Sequence, residues 1–180
     1  MSLLLALGKL EIQNFHMNKA IFLDRDGVIN QERKDYVKNI DEFQIFPEIS
    51  NFIKNMKNRG YLIIVVTNQS VINRGLASMQ DIEQIHEFLQ NFLLQNETSI
   101  DDFYICPHTP HENCSCRKPK SGLFLQAIKD WNIGIKDSWL IGDSDTDIVA
   151  AKSVNCKSIK KESSVTFEKI TAIIDHEHNN

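Results

Sequence analysis

Two carboxylates, Asp24 and Asp26, stand two residues apart at the end of the apolar run in AIFLDRDGVIN, with Gly27 directly after them. Like charges so close repel one another unless a cation sits between them or one of them is protonated. A turn closed by an Asx hydrogen bond would use the same D-x-D-G text, so the motif alone decides little. Three further stretches give it a context. In GDSDTD, Asp143 and Asp147 follow a second apolar run. Carboxylates brought together from two strand ends form an oxygen-rich site for a hard cation such as Mg²⁺. In VVTNQS, the Thr67 hydroxyl and the backbone amides of the turn are groups that hold phosphate oxygens. In CRKPK, Arg117 and Lys118 supply positive charge for a phosphoryl group and for a carboxylate nucleophile.

A second set of ligand types lies just ahead of those two cations. CPHTPHENCSC offers Cys106, His108, Cys114 and Cys116, three thiolates and an imidazole, with His111 as a further imidazole in the same loop. Such a Cys₃His set is a structural zinc site. It would fix Arg117 and Lys118, which follow it without a spacer. The fourth cysteine, Cys156, opens an apolar stretch and is expected in the core.

The elements that position these groups alternate between two periods. Continuous apolar runs predict buried strands over 19–24, 61–68, 102–106, 138–143 and 156–160. Helical spacing of apolar residues predicts helices over 47–60, 78–96, 121–132 and 145–155, and a weaker one in the tail from Glu162. Ser78 with Asp81 three residues on reads as the cap of the second helix. Strands alternating with helices imply an α/β fold, a central parallel sheet with helices on both faces. Ligands of such sheets bind beyond the carboxyl ends of the strands. Asp24, Thr67, Asn68, Cys106 and Asp143 all fall there.

In this order and on alternating strands, D-x-D-G, T-N, K and G-D-x-x-x-D resemble the haloacid dehalogenase superfamily of phosphatases, over nearly all of Lys19 to Val154. The resemblance implies a Rossmann-like three-layer αβα fold and a role for each residue. Asp24 is the nucleophile and forms an aspartyl-phosphate. Asp26 is the general acid and then the base, with a pKa raised by the anionic centre beside it. Asp24, the Asp26 backbone carbonyl and Asp143 hold Mg²⁺, and Thr67 and Lys118 hold the phosphoryl oxygens. The chain is too short between Gly27 and Pro47, and again between the second strand and Arg117, to carry a cap domain. The metal loop and NQERKDYVKNIDEF are therefore the expected walls.

A zinc loop on a capless member is similar to a group that includes phosphatases of a heptose bisphosphate and of histidinol phosphate. DRDGVIN, DYVK, TNQSVINRGL and CRKPKSGLFLQA are closer to the heptose wording. That resemblance favours His108 over His111 as the zinc ligand. It also places Asn68, Gln69, Ser70, Arg74 and Arg117, with the loop from Glu32 to Tyr36, at the substrate. The chain departs from many relatives at Val71, Ser121 and Ser144. The last matters most, because Ser144 replaces a cation expected at the phosphate.

Bulk properties narrow the partners. A net charge of −4 over 180 residues is unlike the basic face of a nucleic-acid binder. No apolar run approaches the ~20 residues of a membrane span, and MSLLLALGKL lacks the basic start of a secretory signal. Four cysteines, three of them clustered, read as reduced thiols of a cytoplasmic protein. Met17 precedes NKAIFLDRDG, so residues 1–16 are expected to be an extension and 17–180 one domain. The expected partner is a small phosphorylated substrate, bound by a monomer. A zinc-stabilised binding module that has lost catalysis is the alternative of another class. Asp24, Asp26, Thr67, Lys118 and Asp143 are all intact, which counts against it.

Overall fold

A computed structural model of the chain describes residues 17–178. The expected extension over 1–16 lies outside the described residues. β1 (Lys19–Leu23), β2 (Tyr61–Asn68), β3 (Asp102–Cys106), β4 (Trp139–Gly142) and β5 (Lys157–Lys160) form one five-stranded sheet. Its order is β3-β2-β1-β4-β5, and every neighbouring pair is parallel. The helices are α1 (Ile49–Asn58), α2 (Met79–Gln95), α3 (Gly122–Asp130), α4 (Asp145–Ser153) and α5 (Phe167–His178).

The side-chain alternation of a strand explains the three layers. In β1, Ile21 and Leu23 point to one face and pack with Ile53 of α1, Ile85 of α2 and Ile174 of α5. Ala20 and Phe22 point to the other face and pack with Phe124 of α3 and Ala150 of α4. The Phe22 and Phe124 ring centroids lie 5.0 Å apart with the planes tilted at 54°. Both faces are covered, so β1 and β2 read as unbroken apolar runs. Each such fully buried side chain contributes roughly 1.5–3 kcal/mol by leaving water.

The expected elements form: β2 and β3 keep their expected bounds, and the others have shorter ends. β4 starts one residue late because Ser138 is taken up elsewhere: its backbone N–H donates to Ile135 O, and its hydroxyl accepts from the Ala20 N–H at 2.9 Å. α2 carries the reciprocal Ser78–Asp81 cap that its sequence implies. Cys156 is buried, and its thiol points to Ser138 O at 3.5 Å. Among the described residues no helix is long and apolar enough to cross a membrane.

Candidate active site

The chain runs β1 to β2 to β3 in one direction across the sheet, then returns to place β4 on the other side of β1. The carboxyl ends of β1 and β4 thus flank the point where strand order reverses, the place where open parallel sheets hold ligands. Asp24 follows β1 and donates its backbone N–H to Ile141 O of β4 at 3.0 Å. Asp143 follows β4. The two acids are neighbours because their strands are. Gly27 permits the approach. It has φ +78°, and a Cβ there would overlap the Asp143 carboxylate.

Lys118 reaches into this corner from the other side. Its Nζ lies 2.8 Å from Asp24 Oδ1 and 2.6 Å from Asp147 Oδ1, and donates to Val66 O at 2.7 Å. Burial pulls its pKa down, but Asp24 and Asp147 more than reverse this, so the ammonium stays charged. Asn68 sets its backbone: Oδ1 accepts from the Lys118 N–H at 3.1 Å, and Nδ2 donates to Lys118 O at 3.2 Å. Asp147 is more engaged than its sequence position implied. Besides Lys118, its Oδ2 accepts from the Ser144 N–H at 3.1 Å and the Ser144 hydroxyl at 2.7 Å. This is the capping box that starts α4. Ser144, where a cation was expected in relatives, therefore turns its hydroxyl toward Asp147.

One carboxylate oxygen each from Asp24, Asp143 and Asp147 lie within 4.8 Å of one another. One ammonium does not balance three acids. Burial pushes Asp24 up to about 7, with Asp147 adding to the rise against the pull of Lys118. Burial, with Asp147 and Glu32, pushes Asp143 up to about 6. Among the described residues no Lys or Arg nitrogen lies within ion-pair distance of Asp143. An all-oxygen donor set with surplus negative charge fits a hard divalent cation. Asp147 already spends its oxygens on Lys118 and Ser144, so Asp24 and Asp143 are the acids free to face it.

Asp26 differs from the expectation. Arg25 is fully buried, and its Nη2 donates to both Asp26 oxygens, at 3.0 and 2.9 Å. Asn30 Nδ2 donates to Oδ1 and Gln69 Nε2 to Oδ2, each at 2.8 Å. Burial alone would raise the pKa of Asp26. The guanidinium and these hydrogen bonds outweigh it, and the carboxyl sits below its ordinary range, not above it. The raised pKa expected from the neighbouring anions is thus corrected. Arg25 looks like a spacer between two acids, but it folds inward and places a cation against one of them. Its one sequence signal is a positive charge set between two carboxylates, Asp24 and Asp26.

The cleft above these groups has a volume of about 360 Å³. Asp24, Asp26, Thr67, Lys118, Asp143 and Asp147 line its floor, with Glu32, Arg33, Lys34, Tyr36 and Val37 on one wall and Asn68 and Arg117 on another. The first wall is a segment folded back on itself: Asn30 bridges Ile45, and the Gln31 N–H donates to Gln44 O at 2.8 Å. Buried Val37 and Phe43 anchor it. Three residues expected at the substrate lie elsewhere. Gln69 and Ser70 are buried beneath the floor, and the exposed Arg74 guanidinium sits 5.6 Å from the Tyr36 ring without lining the cleft.

Beside the cleft, Cys106, His108, Cys114 and Cys116 converge. Their facing S···S and S···N distances run from 3.3 to 3.7 Å, and all the cysteines are free of disulfides. Ligands ~2.3 Å from a tetrahedral zinc would sit ~3.7 Å apart, so the four side chains fit that ion. His111 lies in the short helical turn Pro110–Glu112, outside the cluster. Two contacts tie the cluster to the cleft: the Arg117 N–H donates to Cys114 Sγ at 3.3 Å, and Arg117 Nη1 donates to His108 O at 3.0 Å. Gly122 closes the loop from behind, since a Cβ there would stand 2.5 Å from Ser115 O.

Residues 7–155 match the haloacid dehalogenase-like hydrolase family. The chain belongs to that family. Among the relatives of this hydrolase are two proteins named D-glycero-beta-D-manno-heptose-1,7-bisphosphate 7-phosphatase. The one from Helicobacter pylori strain J99 is 44% identical over 142 residues, covering 78% of this chain and 81% of the relative. The one from Haemophilus ducreyi is 41% identical over 147 residues, covering 78% and 80%. In structure, the hydrolase is similar to a D,D-heptose 1,7-bisphosphate phosphatase from B. bronchiseptica, determined with magnesium and phosphate. The TM-score is 0.75, with 32% identity and 78% of each chain covered. It is a phosphatase of this family.

Proposed function

We propose that this phosphatase releases the 7-phosphate of D-glycero-β-D-manno-heptose 1,7-bisphosphate through an aspartyl-phosphate at Asp24. The observation that carries the reading is the corner where Asp24, Lys118 and Asp143 meet at the floor of an open, cation-walled cleft. The names of the relatives support the heptose and its anomer.

The chemistry follows from the placement. An Asp24 oxygen attacks phosphorus, and the bond from phosphorus to the sugar oxygen breaks. Asp26 gives its proton to that oxygen. Water then attacks the phosphorus of the aspartyl-phosphate, Asp26 takes the water's proton, and the Asp24–phosphorus bond breaks to give inorganic phosphate. In the free protein Asp26 is held ionised by Arg25. An incoming phosphate dianion sets negative charge beside it and raises its affinity for the proton that the first step needs. Lys118 and Thr67 hold the transferring oxygens. Asp24 and Asp143, with the Asp26 carbonyl, would hold Mg²⁺, which supplies charge neutralisation at the phosphoryl oxygens. Cys106, His108, Cys114 and Cys116 would hold a structural zinc, and the loop they close would keep Arg117 at the cleft.

Phosphate release from both anomers of the heptose bisphosphate and from histidinol phosphate tests this, with Asp24→Asn as control. The β anomer is expected to lead by about a hundredfold in kcat/KM, roughly 2.7 kcal/mol of discrimination. Preference for histidinol phosphate would overturn the substrate. Release from none of them would favour the binding-module reading.

A further inference from the structure

We propose that Arg25 and Gln69 form a buried clamp that aims Asp26 at the leaving oxygen, so that both are positioning residues for the acid half of the reaction. The proposal rests on the phosphatase reading of Asp24 and Asp26. Neither side chain lines the cleft, and both are buried, Arg25 at 0% exposure and Gln69 at 3%. They are joined to each other: Arg25 Nη2 donates to Gln69 Oε1 at 3.0 Å. Arg25 grips both Asp26 oxygens, while Gln69 Nε2 donates to Asp26 Oδ2 and to Thr67 Oγ1, each at 2.8 Å.

A buried ion pair is poor evidence of stabilisation, because desolvation consumes most of what the attraction provides. What this one does supply is direction. A planar guanidinium bonded to two acceptors leaves Asp26 little rotational freedom. Gln69 then links that acid to Thr67, the hydroxyl on the phosphoryl oxygens. The acid and the phosphoryl-binding group therefore share one rigid support beneath the floor. General acid catalysis depends on such aim, since the acid must lie within hydrogen-bond reach of the departing oxygen.

The clamp matters only where the leaving oxygen needs a proton. A sugar alkoxide is a poor leaving group, whereas 4-nitrophenolate departs without protonation. The experiment is kcat/KM for the sugar phosphate and for 4-nitrophenyl phosphate, which reports steps up to leaving-group departure, in wild type, Gln69→Leu, Arg25→Lys and Asp26→Asn. Gln69→Leu keeps the volume and Arg25→Lys keeps the charge, so one of them reports even if the other fails to fold. The ratio of sugar to aryl kcat/KM is expected to fall about tenfold or more in each clamp variant, toward the ratio in Asp26→Asn. A ratio unchanged from wild type in a folded clamp variant, with or without an equal loss on both esters, would overturn the clamp alone. A wild type inert on both esters would overturn the phosphatase reading and the clamp with it.

Discussion

The Lys118 ammonium lies 2.8 Å from the Asp24 carboxylate although 94 residues separate them in the chain. That contact joins two halves of the fold. Asp24 follows the first strand directly, and Lys118 lies in the loop after the third, where Asn68 pins its backbone. The same ammonium holds Asp147 at 2.6 Å.

Removing that cation should therefore be costly twice over. In Lys118→Met, buried Asp147 and partly buried Asp24 are left with no ammonium between them. Breaking a buried pair in this way costs about 3–5 kcal/mol. Urea unfolding is expected to show a loss of that size, and kcat to fall by about two orders of magnitude or more. Unchanged stability would show that the acids do not depend on Lys118.

The metal loop predicts a different pattern. Cys116→Ser, or a strong zinc chelator, should release one equivalent of zinc and lower the melting temperature. Arg117 is held by Cys114 and by the His108 carbonyl. Loss of the ion should thus raise KM more than it lowers kcat. Metal analysis beside steady-state kinetics checks this, and full activity of a zinc-free protein would contradict it.

At Gly27 the backbone conformation and the space agree. A side chain there meets both a left-handed φ of +78° and the Asp143 carboxylate. Gly27→Ala is expected to destabilise by ~1–2 kcal/mol from the backbone alone. Displacement of Asp143 should also weaken Mg²⁺ binding about tenfold, read by calorimetry.

His86 makes the pH dependence specific. It is buried, stacked on Phe103 with centroids 4.3 Å apart, and burial, aided by the charge of Arg25, lowers its pKa to about 3. Unfolded, it titrates near ~6.5. Between these values the unfolded chain binds the extra proton, so stability is lost as pH falls through that window. The His86 contribution amounts to about 2 kcal/mol between roughly pH 7.5 and pH 5. Denaturant titrations at both pH values should show this loss shrink by that amount in His86→Phe, which keeps the stack.

The strand ends were legible because apolar runs stop where polar residues begin. β2 matches its predicted span, Tyr61–Asn68, and the four polar strand ends converge as parallel topology requires. The convergence of Cys106, His108, Cys114 and Cys116 was legible from ligand types alone. What the sequence left open was direction. Arg25 and Gln69 are polar residues beside a site, and pattern alone sends such residues toward the ligand. Both instead turn inward, because Asp26 and Thr67 need partners beneath the floor. Asp147 was readable in part, since S-D-T-D contains the spacing of a capping box. Its bond to Lys118 was not, because no local pattern encodes a contact made through the loop after β3.

The aspartyl-phosphate proposed at Asp24 can be trapped during turnover. The most direct measurement is an acid quench during turnover of the heptose bisphosphate, with Asp26→Asn to slow hydrolysis of the intermediate, followed by peptide mass spectrometry. One added phosphoryl group is expected on the peptide AIFLDR, located at Asp24 and absent from Asp24→Asn. A phosphoryl group on another residue, or an Asp24→Asn protein that turns over at the wild-type rate, would contradict it.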